Sequence, residues 1–211
     1  MPTSASRSTK KTTPRKLPTQ ARAQETVETI LSATKRVLVR DGYEKTTTNR
    51  VAEVAGVSIG SLYQYFPSKE ALVSALVDRH MATMLNVLAS TYATSSENAS
   101  IEETVRTVIH AAFAAHRVNP KLHRVILEQM QRLGSLDRID AFEAQAQQLV
   151  EAFLTNHAHQ IRRKNIKLAA RAALLAVRGT TLWTVLRTPD QLGDTAFIDE
   201  ISDMITRYLV A

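Results

Sequence analysis

A short stretch in the N-terminal third of the chain carries hydroxyl, amide and apolar side chains at a spacing that could read DNA. Helical periodicity over residues 58–66 puts Leu62 and Phe66 on one face, because residues four apart lie above one another in a helix. The opposite face presents small, hydrogen-bonding and apolar groups, a mixture that suits base edges in the major groove. Its members are Ile59, Gly60, Ser61, Tyr63 and Gln64.

The residues before this face predict a tight corner between two short helices. Thr47 can cap a first helix whose inward positions are Val51 and Ala52, and Gly56 supplies the positive φ that ends it. Ser58 can then cap the second helix. Two short helices joined in this way form a helix-turn-helix, so double-stranded DNA is the predicted partner.

The stretch TTTNRVAEVAGVSIGSLYQYFPSKEALV resembles the DNA-binding signature of the TetR family of bacterial transcriptional regulators. The shared elements are the Thr-rich helix start, Ala52 at the helix crossing, the AGVS turn, the LYQYF recognition helix and the PSKEAL entry to a long connecting helix. The resemblance covers residues 20–77 in motif detail and the rest of the chain in length and helical character. It implies a homodimer with a larger helical domain in which a small-molecule ligand binds.

The resemblance also implies roles for single residues. Three side chains are similar in position to family residues that contact phosphates: Thr48, Tyr63 and Lys69. The residues predicted to face the bases are Asn49, Ile59, Gly60, Ser61 and Gln64. Thr47 and Ser58 at the helix starts complete the predicted DNA-binding set with Tyr65, whose role stays open between phosphate contact and packing. A phosphate contact by Lys69 predicts that Lys69→Ala weakens binding to every sequence and lowers the salt slope by about one.

Charge is distributed unevenly along the chain. The formal net charge is +7, and residues 1–22 contain six basic residues and no acidic one, so the remainder is nearly neutral. Residues 1–18 are predicted to form a disordered basic arm, which either contacts DNA or is a solvated tail. Residues 19–66 are predicted to form the helix-turn-helix DNA-binding domain, and residues 67–211 a helical regulatory and dimerisation domain.

Apolar periodicity predicts an all-α fold with about nine helices and no sheet. Ser100 and Glu103 have the spacing of a capping box that opens one helix. The helices are predicted over residues 19–40, 47–55, 58–66, 68–92, 100–118, 120–133, 137–163, 166–186 and 195–210.

The last two helices are the predicted site of self-association. Residues 168–186 are rich in Ala, Leu and Val, and the final helix carries an apolar stripe. The stripe consists of Phe197, Ile198, Ile201, Ile205 and Leu209. Such stripes either fill a monomer core or form a four-helix dimer interface, and the family resemblance favours a homodimer. Two recognition helices about 34–36 Å apart would match a palindromic operator.

A small apolar or amphipathic effector is the predicted ligand of the larger domain. Its predicted interior contains Met84, His110, Phe113, Leu127, Met130 and Trp183. These side chains could line an apolar cavity with a few polar anchors, although residues of these types are more often packed core residues. Repression is the predicted outcome of DNA binding, because a dimer on promoter DNA excludes polymerase without any further contact.

Several function classes receive no support. The chain has no Cys, so disulfides and thiolate chemistry are excluded. His157 and His159 lie two apart rather than four, so no metal is predicted, nor is any cofactor. The absence of a Gly-rich phosphate loop argues against an enzyme, with a helical transferase as a remote alternative. Without an apolar run near 18 residues, a cytoplasmic protein with no membrane contact is predicted. A nucleoid-associated or division-linked DNA-binding protein remains an alternative to a promoter regulator.

Overall fold

A computed structural model describes residues 21–94, 99–133 and 136–210. These ranges contain nine α-helices, two short 3-10 helices and one isolated antiparallel bridge. The α-helices are α1 (Ala21–Lys45), α2 (Thr48–Ala55), α3 (Ile59–Tyr65), α4 (Lys69–Thr94), α5 (Ile101–Arg117), α6 (Pro120–Leu133), α7 (Leu136–Asn156), α8 (Ile166–Arg187) and α9 (Thr195–Leu209). The predicted all-α fold is confirmed, and the predicted basic arm lies outside the described residues.

The chain divides into two compact units. Among the described residues, the first unit comprises 21–79 with 125–133, and the second comprises 80–94, 99–124 and 136–210. Helices α4 and α6 therefore each supply residues to both units. The predicted domain boundary after residue 66 stays a prediction.

The first unit is held together by an apolar core drawn from four helices. Helix α1 contributes one face to it, and α2, α3 and the start of α4 add the rest. The buried side chains include Ile30, Val37, Leu38, Val51, Leu62, Phe66, Leu72 and Leu76. Helical geometry in α1 breaks at Gly42, where φ is 74°, so the regular part of α1 ends close to the predicted helix end at residue 40.

The second unit is built from helix pairs, with α5 packed on α9 and α7 packed on α8. The predicted capping box opens α5: Ser100 Oγ accepts from Glu103 N at 3.1 Å, and Glu103 Oε2 accepts from Ser100 N at 3.0 Å. Two orphan amides at the helix start are thereby satisfied.

The prediction that one helix continues to residue 163 is wrong, because α7 ends at Asn156. Ile161 pairs with Val210, and Arg162 N donates to the carbonyl of Leu209 at 3.0 Å. Arg163 Nε donates to the carbonyl of Tyr208 at 2.6 Å. Residues 161–163 therefore bond to the end of α9 instead of continuing α7. The local spacing of apolar residues cannot indicate such a pairing between distant parts of the chain.

The apolar stripe of α9 mostly faces inward. Ile198, Ile205 and Leu209 are buried in the packing of α9 on α5, so the monomer-core interpretation applies to these three. Large apolar side chains are exposed elsewhere on α8 and α9: Leu168, Leu175, Trp183 and Met204.

Candidate nucleic-acid interface

Local hydrogen bonds fix the corner between α2 and α3. Thr47 Oγ1 accepts from Arg50 N at 3.2 Å, and Ser58 Oγ accepts from Ser61 N at 3.0 Å. Between these caps Gly56 has φ 68°, a left-handed conformation that residues with a Cβ rarely adopt. The predicted caps and the predicted glycine turn are confirmed, and the direction of α3 follows from them.

Helix α3 buries one face and exposes the other. Leu62 is buried, while Ile59 is 38% exposed and Tyr63 is 41% exposed. Gly60 and Gln64 are also exposed, and Ser61 and Tyr65 are half-buried. Asn49, in the first turn of α2, is exposed as well. The residues predicted to read bases therefore lie where a duplex could reach them, and their base contacts stay a prediction.

Two residues predicted to contact phosphate touch each other. The Thr48 hydroxyl lies 3.0 Å from the phenol oxygen of Tyr63, so the first turn of α2 is joined to the middle of α3. Either hydroxyl can donate in this pair. Each hydroxyl has one proton, so while one hydroxyl donates to the other, the second can donate to a phosphate oxygen. Such a contact fixes the register of a protein on DNA without reading sequence.

Lys69, the third predicted phosphate contact, lies against the protein's own backbone. Its Nζ donates to the carbonyl oxygen of Tyr43 at 3.1 Å and is 3.5 Å from that of Glu44. The ammonium also lies 4.3 Å from the centroid of the Tyr43 ring. Tyr43 was not included in the candidate site predicted from the sequence. Its aromatic ring directly after Gly42 was the available signal.

A second backbone contact braces α2. Arg36 Nη2 donates to the carbonyl oxygen of Val54 at 3.2 Å, so α1 holds the last turn of the helix. Arg50 forms an ion pair with Glu53 at 2.5 Å on the outer side of α2. Helix α3 thus packs with its apolar face, which contains Leu62, against the unit and exposes its other face.

The residues predicted to line a ligand cavity are distributed over both units. Half-buried Leu127 and buried Met130 belong to the first unit; Met84, His110, Phe113 and Trp183 belong to the second. The prediction that Trp183 is interior is wrong, since the side chain is 63% exposed. It lies on the outer side of α8, with the guanidinium of Arg187 5.5 Å from its ring. Contact of these six residues with a ligand stays a prediction.

Polar partners distinguish His110 from Phe113, its neighbour on α5. His110 Nε2 lies 2.8 Å from Asp199 Oδ1, and Arg106 pairs with the same oxygen at 3.0 Å. Phe113 is fully buried and meets the ring of Phe197 edge-on. His110 thus belongs to a half-exposed ionic group between α5 and α9.

Sequence reasoning missed a cluster of three histidines in the second unit. The rings of His80, His116 and His123 have centroids 4.8–5.3 Å apart. Burial, together with the neighbouring imidazole of His123, lowers the pKa of His80 to about 3 and that of His116 to about 4. His116 Nδ1 is buried without a hydrogen-bond partner. The three residues come from α4, α5 and α6, so no spacing in the sequence indicates the cluster.

Other sites receive no support from the described ranges. Within 21–94, 99–133 and 136–210, no three His, Cys, Asp or Glu residues are arranged to hold a metal ion. The ring of His157 packs on Phe153, while His159 is exposed. No helix in the described part of the chain has the length and apolarity needed to span a membrane.

Comparison with known proteins places these features in a family. A model of bacterial regulatory proteins of the tetR family matches residues 30–76. A model of the tetracyclin repressor-like C-terminal domain matches residues 100–209.

Individual relatives match the chain in different ways. Nucleoid occlusion factor SlmA of Actinobacillus pleuropneumoniae is 34% identical over 86 residues, which is 41% of this chain and 41% of that protein. The fold is similar to that of SmeT, the repressor of the Stenotrophomonas maltophilia multidrug efflux pump SmeDEF. That similarity has a TM-score of 0.69 and 23% identity, and covers 90% of this chain and 92% of SmeT. The complex of SmeT with triclosan matches with a TM-score of 0.65, 20% identity, and 89% and 93% coverage.

The C-terminal model alone covers more than half of the chain, and the N-terminal model covers α2 and α3. The chain therefore belongs to the TetR family of DNA-binding transcriptional regulators.

Proposed function

We propose that the protein is a homodimeric cytoplasmic repressor that binds a palindromic operator and is released by a small apolar or amphipathic ligand. The observation that carries the proposal is the exposed face of α3, held by capped helix starts on both sides of Gly56. A rigid outward helix of this kind suits insertion into the major groove.

Different side chains of this face have different roles in the proposal. The hydroxyl pair of Thr48 and Tyr63 contacts phosphate and sets the register of the protein on the duplex. Asn49 and Gln64 carry amide groups that can hydrogen-bond to adenine, and Ile59 can meet a thymine methyl group. Gly60 has no side chain, so the backbone of α3 can approach the bases closely.

The exposed apolar side chains of α8 support the homodimer. Leu168 and Leu175 are separated by two helical turns, and Trp183 lies about two turns further along. All three are exposed in the single chain, and Met204 adds a fourth exposed apolar group on α9. Exposed apolar groups that recur along one element mark association surfaces, and a two-fold would cover them with an identical set.

Ligand release is proposed to act through the second unit. The likeness to SmeT in its complex with triclosan supports a helical unit that accepts a small apolar molecule. Helix α4 is continuous along the chain from Lys69 to Thr94 and supplies residues to both units. A ligand that prefers one position of α4 shifts the population of DNA-binding-competent dimers by its differential affinity.

Footprinting on the DNA beside the coding region tests the proposal. We expect one protected palindrome whose half-sites are about one helical turn apart, and a two-protomer mass in solution. Compounds can then be screened for loss of the footprint. Equal affinity for all duplexes, or a monomer bound to one half-site, would contradict it.

A second candidate function is a nucleoid-associated or division-linked role. The observation that favours it is the 34% identity with SlmA over 86 residues. The chain's match spans about two fifths of the length of SlmA, so this likeness bears on the DNA-binding part alone. Genome-wide occupancy separates the candidates: a few promoter sites support a regulator, and many dispersed sites support the alternative.

A further inference from the structure

The end of α1 from Gly42 onward and the residue that follows α1 form a hydrogen-bonded turn, here named the α1–α2 corner (residues 42–46). Gly42 has φ 74°, and its carbonyl accepts from Thr46 Oγ1 at 2.7 Å. Thr46 N donates to the carbonyl of Tyr43 at 3.2 Å. Thr46 is buried, so the corner is anchored in the first unit.

Lys69, the first residue of α4, contacts this corner through its side chain. Its ammonium meets the Tyr43 carbonyl, the Glu44 carbonyl and the face of the Tyr43 ring. Carbonyls at the end of a helix carry partial negative charge, so a cation is favoured there. The cation also interacts with the electron-rich face of the aromatic ring. Three simultaneous contacts hold a side chain that is otherwise among the most flexible.

The α1–α2 corner leads directly into the phosphate-contacting groups. Thr47, the cap of α2, follows Thr46, and Thr48 begins the helix. Thr48 then meets Tyr63 of α3 at 3.0 Å. A displacement of the corner therefore moves the hydroxyl pair with it, because only Thr47 separates Thr46 from Thr48.

We propose that Lys69 is a positioning residue, which ties the first turn of α4 to the α1–α2 corner and so sets the place of the Thr48–Tyr63 hydroxyl pair. The proposal rests on the proposed DNA-binding function, and it replaces direct phosphate contact as the role of Lys69. It also gives α4 a direct means of regulation: a shift of its first turn withdraws the ammonium and loosens the start of α2.

Hydrogen exchange of the DNA-free protein tests the positioning step separately from DNA binding. Lys69→Met keeps the apolar stem and removes the ammonium, and we expect amides of residues 46–51 to exchange about tenfold faster. Lys69→Arg keeps a cation and donors, so it should restore most of the protection. Lys35→Met removes another half-buried lysine of the first unit, outside the corner, and should leave these amides unchanged. Exchange in α5 and the thermal midpoint should stay at wild-type values, which separates a local role from a general loss of stability.

DNA binding over a range of salt concentrations gives the second readout. Tyr43→Leu removes the ring without changing charge, and we expect both Tyr43→Leu and Lys69→Met to weaken binding about tenfold with little change of salt slope. A salt slope reduced by about one in Lys69→Met, with unchanged exchange, would overturn the proposal and assign Lys69 to phosphate. If the wild type binds all duplexes equally while Lys69→Met still accelerates exchange, the proposed function fails and the positioning role stands.

Discussion

The two units differ in what holds their functional groups. In the first unit, short-range hydrogen bonds at Thr47, Gly56 and Ser58 place α3, and each is visible as a residue type at a fixed offset. In the second unit, the ionic and histidine groups join helices far apart in the chain, as His110 joins Asp199. A surface set by local turn chemistry can be predicted from one sequence, whereas a group assembled from distant helices cannot.

The largest expected difference between the units is in their response to acid. His80 and His116 are buried in the second unit with pKa values lowered from 6.5 to about 3 and about 4. Between pH 6.5 and the lowered pKa values, these two histidines bind protons in the unfolded chain but not in the folded chain. The free energy of unfolding therefore falls as the pH drops below about 6.5. Each proton contributes up to about 1.4 kcal/mol per pH unit. The free energy of unfolding, measured by denaturant titration between pH 7 and 5, should therefore decrease by several kcal/mol.

Single variants attribute this acid response to the cluster. His116→Leu replaces a buried imidazole by an apolar side chain and should remove about half of the pH dependence. His159→Leu changes an exposed histidine and should leave it as in the wild type. An identical pH dependence in wild type and His116→Leu would show that the cluster does not control acid stability.

Helices α8 and α9 expose four large apolar side chains, whereas the outer face of α3 exposes Ile59 and Tyr63 among hydrogen-bonding groups. Trp183→Glu should weaken self-association by about 2–4 kcal/mol, the loss found for large aromatic anchors at interfaces. Analytical ultracentrifugation over a concentration series measures this. Val118→Glu is the matched control, because Val118 is exposed but lies outside α8 and α9. A dimer unaffected by Trp183→Glu would remove this face from the proposed interface.

Two glycines provide a smaller test of backbone conformation. A Cβ at Gly56 meets nothing within 4 Å, so the cost of Gly56→Ala is conformational and should be about 1–2 kcal/mol. Gly179 in α8 also has open space but no positive φ. Gly179→Ala should stabilise by about 0.5–1 kcal/mol, since alanine favours a helix. The midpoints of thermal unfolding of both variants test this prediction. Equal shifts of the two midpoints would argue against a strained turn at Gly56.

The smallest effect compares equivalent caps in the two units. Thr47→Ala and Ser100→Ala each remove a helix cap and should each cost about 1 kcal/mol of stability. Only Thr47→Ala should also lower operator affinity, because α2 carries Thr48. Binding isotherms at a fixed salt concentration measure the difference. A loss of affinity in Ser100→Ala of similar size would mean that caps act on DNA binding through overall stability alone.

The prediction of the fold from sequence succeeded where the signal is local. The capping box at Ser100 and Glu103, the left-handed turn at Gly56 and the buried pair of Leu62 and Phe66 all follow from residue type and spacing. The end of α7 was misplaced because Arg162 and its neighbours bond to the last turn of α9, a contact between residues more than 40 positions apart.

In the candidate site, the helix caps and the exposed face were predicted from the sequence, but the contacts between side chains were not. The outer face of α3 and its caps are confirmed, yet the Thr48–Tyr63 pair and the Lys69–Tyr43 contact depend on how α1, α2 and α4 pack. Trp183 was misplaced because large apolar residues are usually interior, a rule that does not distinguish a core from an exposed face of the single chain.

The bridge between Ile161 and Val210 connects the two helices, α8 and α9, that carry the exposed apolar side chains. It fastens the entry to α8 to the exit from α9, and Arg163 adds a further bond to Tyr208. Leu168 and Met204 therefore lie on two helices that backbone hydrogen bonds join at the start of α8 and the end of α9. Loosening the last turn of α9 would displace the first turn of α8, and the proposed dimer interface would lose its alignment before either helix unfolded.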